Sequence, residues 1–507
     1  MKRFLTTFLL ALLWAFQPAV AGSFIPIGEP GSEIFYLRAK LNQTLGLNNY
    51  FDYQLAPQAQ DSITRPDGSI SYWSSEIESL RTYLFYTQRF NSEQKRRLQF
   101  FEAVRAGISV NLSPKLSVMS SFVLDDELAN DPTYKGKVWR GLAGDVETGS
   151  LYYRTSKFDL LFGRHRASWG PTYTNLLLSQ TSRPLDGLAF RYRLGERISF
   201  SYRLARLDGF PPASESSGAA VDSGVFVNRY MAGHRLDWNV SKSIRLGFFE
   251  SIIFAGPGRS LELQFLNPFI FFHANQLNEG NNDNTFLGID FDILPRDGIR
   301  FFGQLFVDDF QIEKKTQGDE EPDEIGFLLG AHLVSASQKW EGMLRWDRVY
   351  NRTYNQKVER NRYILQGKPI GHPQGNDFEM LQATLRRWLN KETYAELTGR
   401  IIRQGEAKII DTWAEPWLDV VGQYSEPFPT GVVEKTTEVA LTLHSLFALP
   451  LSRGETRSDD RLGLAKVTIG WKKLRNIANV ASLVEDQIFV HSSISIFLAQ
   501  SHSASAH

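Results

Sequence analysis

Alternation of apolar and polar positions recurs along most of the chain after about residue 105. In "ISFSYRL", residues 198–204, the apolar side chains fall on one face of an extended strand and the serines and the arginine fall on the other. The preceding "LAFRYRL", residues 188–194, alternates in the same way, and only "GE" separates the two segments. This spacing predicts two antiparallel strands joined by a tight hairpin.

Strand lengths and connector lengths favour one class of all-β protein. Many alternating segments extend to about nine to twelve residues, the length that a tilted strand needs to cross a bilayer. Strands of a soluble sandwich or propeller are shorter, most often about five or six residues. Short connectors such as "GE" and "SK" also alternate with long ones such as "DGFPPASESSGAAVDSGVFVNR". The sequence therefore predicts an all-β transmembrane antiparallel barrel of about 16–18 strands over residues 105–500, followed by a tail over 501–507.

Before residue 105 the hydrophobic period is that of helices. In "SEIFYLRAKLNQTLG" the apolar residues recur at spacings of three and four, with Ser32 as the N-cap and Gly46 as the stop. Two further helices are predicted in "SSEIESLRTYLFYTQRF" and "SEQKRRLQFFEAVRAG", the first of which has capping-box spacing. The three helices predict a small N-terminal α-helical bundle over residues 22–104.

The first residues have the pattern of a secretory signal peptide. Lys2 and Arg3 precede an apolar run over residues 4–16, and the small residues 19–21 form a cleavage site. We expect residues 1–21 to be removed on export. An uncleaved anchor is the alternative, but the apolar run is shorter than the roughly 17 residues that a membrane-spanning helix needs.

Composition restricts the possible partners and the compartment. The 507 residues include no cysteine, which excludes disulfides and thiolate metal sites. The 56 basic residues balance the 56 acidic ones, which argues against a nucleic-acid partner. The 13% aromatic content suits the interfacial girdles and lipid-facing band of an outer-membrane barrel. We therefore expect a barrel in the cell outer membrane, surrounded by its lipid. We also expect the protein to be a monomer.

Three motifs resemble one known family. They are "FGRHRASWGPTYTNLLLSQTSRPLDGLAFRY", "GPGRSLELQFLNPFIFFHANQLNEGNNDNTFLGIDFDI" and "GKPIGHPQGND", in this order along the chain. Together they resemble the capsule assembly protein Wzi family. The resemblance implies an 18-stranded outer-membrane barrel with a periplasmic helical bundle. It also implies a lectin that helps to assemble or attach capsular or extracellular polysaccharide at the cell surface.

The first motif contains side chains suited to a glycan. By the period of two, Arg164 and Arg166 share one face, and guanidinium groups bind carboxylates or phosphates in a bidentate manner. The indole ring of Trp169 is suited to stacking on a sugar ring. The competing structural interpretation pairs these arginines with acids inside the barrel, such as Asp290, Asp292 and Glu396. Gly170-Pro171 is predicted to end the strand, so that "NLLLS" crosses or folds inward.

The second motif supplies further candidate glycan-binding residues. Amide, imidazole and carboxylate groups of this kind hydrogen-bond sugar hydroxyls, although Asn and Gly also simply form turns. The candidates are Asn267, His273, Asn275, Glu279 and Asn284. His372, Asp377 and His273 have metal-ligating side chains, but the sequence gives no pairing between them. No metal and no cofactor are therefore predicted.

Three other functional classes are weighed: an enzyme, a channel, and a plain structural barrel that scaffolds partners, in which the Arg and Trp positions would be freely replaceable. The sequence lacks a Gly-x-Ser-x-Gly elbow, a His-Glu-x-x-His helix and a P-loop, so no enzyme is predicted. A porin or substrate-specific channel is the main alternative, because a polar, arginine-rich interior suits anion passage. The lumen distinguishes the two functions: inward-folded loops and a closed periplasmic mouth would block conduction.

Overall fold

The computed structural model contains an 18-stranded antiparallel sheet that closes into one barrel. The structure describes residues 79–93, 98–113, 115–209, 227–279, 282–310, 320–390, 392–421, 424–448 and 461–503, together with residues 37, 40, 41 and 43–45. The described strands are β1 (Ser79–Glu93), β2 (Gln99–Ser113), β3 (Leu116–Asp125), β4 (Ala143–Arg154), β5 (Phe158–His165), β6 (Leu185–Leu194), β7 (Ile198–Arg206), β8 (Arg229–Asn239), β9 (Ile244–Ala255), β10 (Asn284–Arg296), β11 (Ile299–Asp309), β12 (Glu324–Val334), β13 (Trp340–Val349), β14 (Ile364–Leu365), β15 (Lys368–Pro369), β16 (Phe378–Trp388), β17 (Thr393–Gln404), β18 (Glu434–Ala448), β19 (Arg461–Arg475) and β20 (Val484–Ser503). All belong to the barrel except β14 and β15, which form a small separate hairpin. One α-helix, α1 (Phe272–Glu279), and short 3-10 turns at Leu128–Asn130, Leu263–Leu266, Glu359–Asn361, Pro416–Asp419 and Ile477–Asn479 complete the described elements.

The sheet closes between the first and last strands. Each barrel strand pairs antiparallel with its neighbours along the chain, and β1 pairs with β20 from Ser79↔Ser503 to Glu93↔Phe489. Closure leaves no unpaired sheet edge, which is what a sheet in lipid requires. The predicted barrel and the count of 18 strands that the resemblance implies are confirmed.

Connector length separates a short-turn rim from a long-loop rim. The connectors after β4, β6, β8 and β10 are tight turns on one rim, whereas those after β5, β9, β13 and β17 are long and lie on the other. The turn between β6 and β7 contains Gly195 with φ +78°, a conformation that glycine adopts without steric cost. The predicted hairpin over residues 188–204 is confirmed.

The outer face of the barrel is an apolar band. On β13, for example, the outward Trp340 and Leu344 are exposed, while the inward Arg345 and Asp347 are buried. Successive residues of a strand point to opposite faces, so this alternation separates an apolar exterior from a polar interior. So large an exposed apolar surface suits lipid rather than water. Among the described residues, no helix is long and apolar enough to cross a membrane.

The second and third predicted helices are wrong. Residues 79–93 and 99–113 form β1 and β2, so the barrel begins well before residue 105. Tyr83 and Phe85 of β1 point inward and pack with Phe497 of β20. Apolar residues on both faces weaken the period-two signal, and β20 lies at the far end of the chain, beyond the reach of a local pattern. Long-range pairing decides the structure here.

The first predicted helix is described in part. Residues 37, 40, 41, 43 and 44 are helical, as the spacing predicts. Residue 45 forms a turn, and all other positions before residue 79, including the predicted signal peptide and the rest of the predicted bundle, lie outside the described residues. The predicted tail begins later than expected, because β20 continues to Ser503.

These helical residues lie inside the barrel at the short-turn rim. Leu41 is fully buried in a cluster with Val334 and Trp388. The Thr44 hydroxyl lies 2.8 Å from Nδ1 of His332 on β12. Because all three partners are inward residues near strand ends, the segment occupies the mouth of the lumen on this side.

Candidate functional site at the long-loop rim

Residues 166–184, between β5 and β6, fold into the barrel and cross its lumen; we call them the inner loop. Gly170 has φ +144°, which favours glycine, and Pro171 has no N–H to donate to a strand pair. These two residues turn the chain from the wall into the lumen. The predicted inward fold of "NLLLS" is confirmed by the complete burial of Leu176, Leu177 and Leu178.

The inner loop packs into an apolar core in the lumen. Its three leucines share one cluster with inward side chains of the wall, among them Phe286, Phe302, Phe306, Leu328 and Met380. All of these wall residues are at most 6% exposed. Protein interiors of this kind pack at about the density of organic crystals, which leaves little room for water. Over the described residues, the lumen at this level is a packed core.

Polar wall residues satisfy the backbone of the inner loop. Gln304 of β11 donates from Nε2 to the Trp169 carbonyl (3.0 Å) and accepts from the Leu176 N–H (2.6 Å). Arg300 of the same strand donates to the Pro171 carbonyl at 2.9 Å. A buried backbone group left unpaired costs free energy, so these bonds fix the loop in the lumen.

A second loop, residues 350–377 between β13 and β16, covers the first. The hydroxyls of Tyr354 and Tyr363 donate to the carbonyls of Leu176 (2.6 Å) and Leu177 (2.8 Å). Burial raises the pKa of both tyrosines above the ordinary value, which keeps them protonated as donors. The two loops therefore form connected layers within the lumen on the long-loop side.

A cleft of about 280 Å³ opens where β4 to β7 meet the long-loop rim; we call it the rim cleft. Its charged lining residues are Asp145, Arg164, Arg183, Asp186, Arg206 and Asp208. Arg164 binds Asp186 in a bidentate manner, with Nε–Oδ1 2.7 Å and Nη2–Oδ2 2.5 Å. The two side chains are 31% and 49% exposed, so this pair faces the solvent.

The other charges of the rim cleft alternate in sign. Nη1 of Arg183 lies 3.7 Å from Asp145, and Asp208 accepts a hydrogen bond from Arg229 at 3.0 Å. Arg206 is exposed and donates to Asn228 at 3.3 Å. A surface with both guanidinium and carboxylate groups offers donors and acceptors side by side, as sugar hydroxyls require.

Arg164 and Arg166 do not act on one surface. Arg166 donates to the Ser182 carbonyl (2.5 Å) and lies 3.5 Å from Glu147, away from Asp186. It holds the base of the inner loop, whereas Arg164 lines the rim cleft. The prediction that these two arginines share one face is wrong, because β5 ends at His165 and residue 166 is no longer part of the strand.

Trp169 is enclosed by protein. Its side chain is buried in the lumen core, and the residue as a whole is 1% exposed. The backbone N–H of Trp169 donates to the Leu178 carbonyl at 3.0 Å. This bond joins two parts of the inner loop. The stacking interpretation is corrected, because a sugar outside the barrel does not reach this ring in the present conformation.

The competing interpretation paired Arg164 and Arg166 with interior acids. In the structure, those acids form ion pairs with other arginines of the barrel wall. The pairs are Asp290 with Arg235 (2.9 Å), Asp292 with Arg300 (2.6 Å) and Glu396 with Arg386 (2.9 Å). Buried charges need such partners, so these acids are used within the wall.

The Asn-rich motif lies on the outside of the barrel. Residues 256–279, which follow β9, pack against the outer face of β7 to β9; we call them the outer strap. Asn267, His273 and Asn275 are on this strap, away from the rim cleft. Asn267 caps a turn by accepting from the Phe269 N–H at 3.1 Å. Glu279 ends α1, and its side chain lies outside the described residues.

The remaining candidates are also dispersed. Asn284 begins β10, is 3% exposed, and its amide lies 3.5 Å from the Asn361 carbonyl. His372 is buried 3.4 Å from Asp347, and Asp377 accepts from the Thr430 N–H at 3.0 Å. His273 is across the wall from both. Among the described residues, no group of three or more potential metal ligands is found.

A second cleft, of about 250 Å³, opens elsewhere on the same rim. Tyr350, Tyr424 and Phe428 contribute aromatic surface to it, and Glu426 contributes a carboxylate. The guanidinium of Arg348 lies 3.8 Å from the centre of the Phe428 ring, which occupies that face. This cleft is therefore more acidic than the rim cleft, and the Arg348 guanidinium already covers one of its aromatic faces.

The sequence predicted one residue of the rim cleft, Arg164, and missed the others. Arg183 and Asp186 stand within the first motif, as "RPLD", but nothing local distinguishes them from loop residues. Arg206 and Asp208 follow the last alternating position of β7. A local signal could have identified these missed residues. It is a charged residue at the point where the alternation of a strand stops, next to a long connector.

Comparison with protein families gives a match over residues 87–444 to the family described as capsule assembly protein Wzi. The matched segment includes the inner loop, the rim cleft and the second loop. The chain belongs to this family. The resemblance of the three motifs is thereby confirmed. Comparison with curated proteins gave no match.

Comparison with solved structures supports the barrel fold. Wzi of Escherichia coli, described as a carbohydrate-binding β-barrel involved in group 1 capsule assembly, has 13% identity and a TM-score of 0.57. The alignment covers 96% of this chain and 100% of that one. OprD of Pseudomonas aeruginosa follows with 10% identity and a TM-score of 0.46, covering 85% of this chain and 96% of that one. The apolar band and the likeness to an outer-membrane family place the barrel in the outer membrane.

Proposed function

We propose that this protein binds capsular or extracellular polysaccharide at its long-loop rim and helps to assemble or attach it at the cell surface, without catalysing a reaction. Membership of the Wzi family supports a role in capsule assembly. The carbohydrate binding described for the Escherichia coli structure supports a glycan as the ligand. The protein acts as a monomer whose outer face contacts lipid.

The packed lumen is the observation that carries this proposal. The inner loop and the second loop close the barrel from one side, and the helical residues around Leu41 occupy the mouth on the other. A porin needs a continuous aqueous path. A barrel closed in this way serves better as a rigid support for binding loops than as a conduit.

The orientation follows from the lengths of the connectors. Outer-membrane barrels have short periplasmic turns and long external loops. The long-loop rim, with its cleft, therefore faces the exterior, where a surface polysaccharide lies. The N-terminal helical residues lie at the periplasmic mouth.

Within the rim cleft, Arg164 and Arg206 are the side chains best placed to bind a glycan. Both are at least partly exposed, and a guanidinium donates to hydroxyls as well as to carboxylates of acidic sugars. The Asp186 carboxylate accepts from sugar hydroxyls at the same point. Exposed ion pairs contribute only about 0–1 kcal/mol to stability, so these residues can be replaced without unfolding the barrel.

Binding of surface polysaccharide extracted from the producing bacterium to the purified protein tests the proposal. We expect the double variant Arg164→Ala, Arg206→Ala to bind at least about tenfold more weakly, since each charged hydrogen bond is worth about 1.5–3 kcal/mol. Arg387→Ala is the matched control, because Arg387 is exposed near the short-turn rim. Absence of binding by the unmodified protein contradicts the function, and equal affinity of the double variant contradicts only the site.

A further inference from the structure

The outer strap is apolar on both of its faces. Towards the wall, Phe265 and Phe272 are fully buried against a cluster that includes Tyr202, Ile252 and Phe254. Away from the wall, large apolar side chains are exposed: Leu263 by 82%, Phe269 by 78% and Phe271 by 54%. A segment between a protein wall and water normally carries polar residues on its outer face. Apolar residues on both faces instead indicate an apolar medium beyond the strap.

Polar contacts hold the strap against the wall. Glu250, on the outer face of β9, accepts from the His273 N–H at 2.8 Å, and its other oxygen lies 3.0 Å from Nε2 of His234. The Phe272 ring stacks on the His234 imidazole with centroids 4.8 Å apart. The Tyr202 hydroxyl donates to the Phe265 carbonyl. The strap thus covers a carboxylate that would otherwise face the apolar band.

Two of the three charged residues of the strap, Arg259 and Glu262, lie near its start. Arg259 binds Glu262 and Asp283 next to the long-loop ends of β9 and β10. From Leu263 to Phe272 the strap has no acidic or basic residue. This order, charged at the rim and apolar below it, matches the change from headgroups to acyl chains across an outer-membrane surface.

We propose that the outer strap is inserted in the outer leaflet of the membrane, with Leu263, Phe269 and Phe271 in contact with lipid acyl chains. The apolar band of the barrel continues beside it, since Leu236 and Phe248 on the same outer face are 38% and 40% exposed. The strap widens the barrel on this side and presents its own apolar surface to the lipid. The inference is independent of glycan binding at the rim cleft.

The absence of cysteine from the sequence allows a direct test with single spin labels. Phe269→Cys and Phe271→Cys, each labelled with a nitroxide, are compared in phosphatidylcholine vesicles. Leu344→Cys, outward on β13 and 52% exposed, is the lipid control. Val421→Cys, fully exposed on the connector between β17 and β18, is the water control.

Relaxation of each label by oxygen, which concentrates in lipid, and by a water-soluble nickel chelate gives the outcome. We expect the strap labels to behave like the label at position 344, with strong relaxation by oxygen and weak relaxation by nickel. Relaxation like that at position 421 overturns the proposal, because the strap then lies in water. Protection from both agents also overturns it, because protein then covers the strap. Heat-modifiable electrophoretic migration checks that each variant has formed its barrel.

Discussion

At the scale of single residues, a few wall side chains decide whether the lumen is filled. Gln304 is inward on β11 and 2% exposed, and its amide satisfies one N–H and one carbonyl of the inner loop. The apolar packing of the leucines gives the loop affinity for the lumen, but it is not directional. The hydrogen bonds of Gln304 define the position at which the loop settles.

Gln304→Leu keeps the size of the side chain but leaves the Leu176 N–H and the Trp169 carbonyl unpaired. We expect the free energy of unfolding to fall by about 1–3 kcal/mol, the cost of a buried polar group without a partner. Denaturant titration in lipid vesicles, followed by tryptophan fluorescence, measures the change. Gln382→Leu on β16 is the control, because the Gln382 amide donates a hydrogen bond to the nearby Thr384 hydroxyl at 3.2 Å. Equal losses in both variants would contradict the role given to Gln304.

Local residue patterns predict the location of some side chains correctly but not of others. Arg164 was predicted because it stands near a strand end that the alternation locates. Trp169 was misjudged, since an indole suits both a sugar and a core, and only long-range contacts with the wall distinguish the two. The partners of the inner loop on β11 are more than a hundred residues away along the chain. No local pattern contains them.

At the scale of elements, the second loop acts as a lid on the inner loop. His372 lies in this loop, stacked on Phe378 at 4.6 Å between ring centres. Burial lowers the pKa of the His372 imidazole below its ordinary value, although the nearby Asp347 carboxylate raises it. The neutral imidazole is therefore the form that the folded loop stabilises.

This pKa shift predicts a loss of stability in acid. Because the folded pKa is below the unfolded value of about 6.5, the contribution is complete above that pH and is lost as the pH falls through the folded pKa. The denaturation midpoint of the unmodified protein should fall more steeply below about pH 6.5 than that of His372→Gln. Midpoint measurements across this range check the difference. Parallel profiles for the two proteins would argue against His372 as the titrating group.

Elements also differ in how far the sequence predicts them. The hairpin of β6 and β7 was predicted because each strand has one apolar and one polar face. β1 and β2 were not, because Tyr83 and Phe85 make the inner face of β1 apolar as well. The sequence leaves the role of the outer strap open, because its asparagines suit both sugars and turns. Its apolar residues do not indicate which side of the wall they cover.

At the scale of the whole molecule, closure and filling together define the protein. Closure of β1 on β20 lets the barrel stand in lipid without a sheet edge. Filling by two connected loops turns its interior into a core, so that the rim becomes a fixed surface carrying the cleft of Arg164 and Asp186. The approximate number of strands can be predicted from the sequence. Filling of the lumen depends on contacts between distant segments, so it is seen only in the structure.

The central claim is that this barrel is a closed support for polysaccharide binding rather than a channel. Single-channel conductance of the purified full-length protein in a planar bilayer tests it most directly. A variant in which residues 172–178 of the inner loop are replaced by a short Gly-Ser linker provides the comparison. The account predicts no stable openings for the unmodified protein and frequent openings for the variant. Stable, large openings of the unmodified protein would contradict the closed lumen and favour a channel.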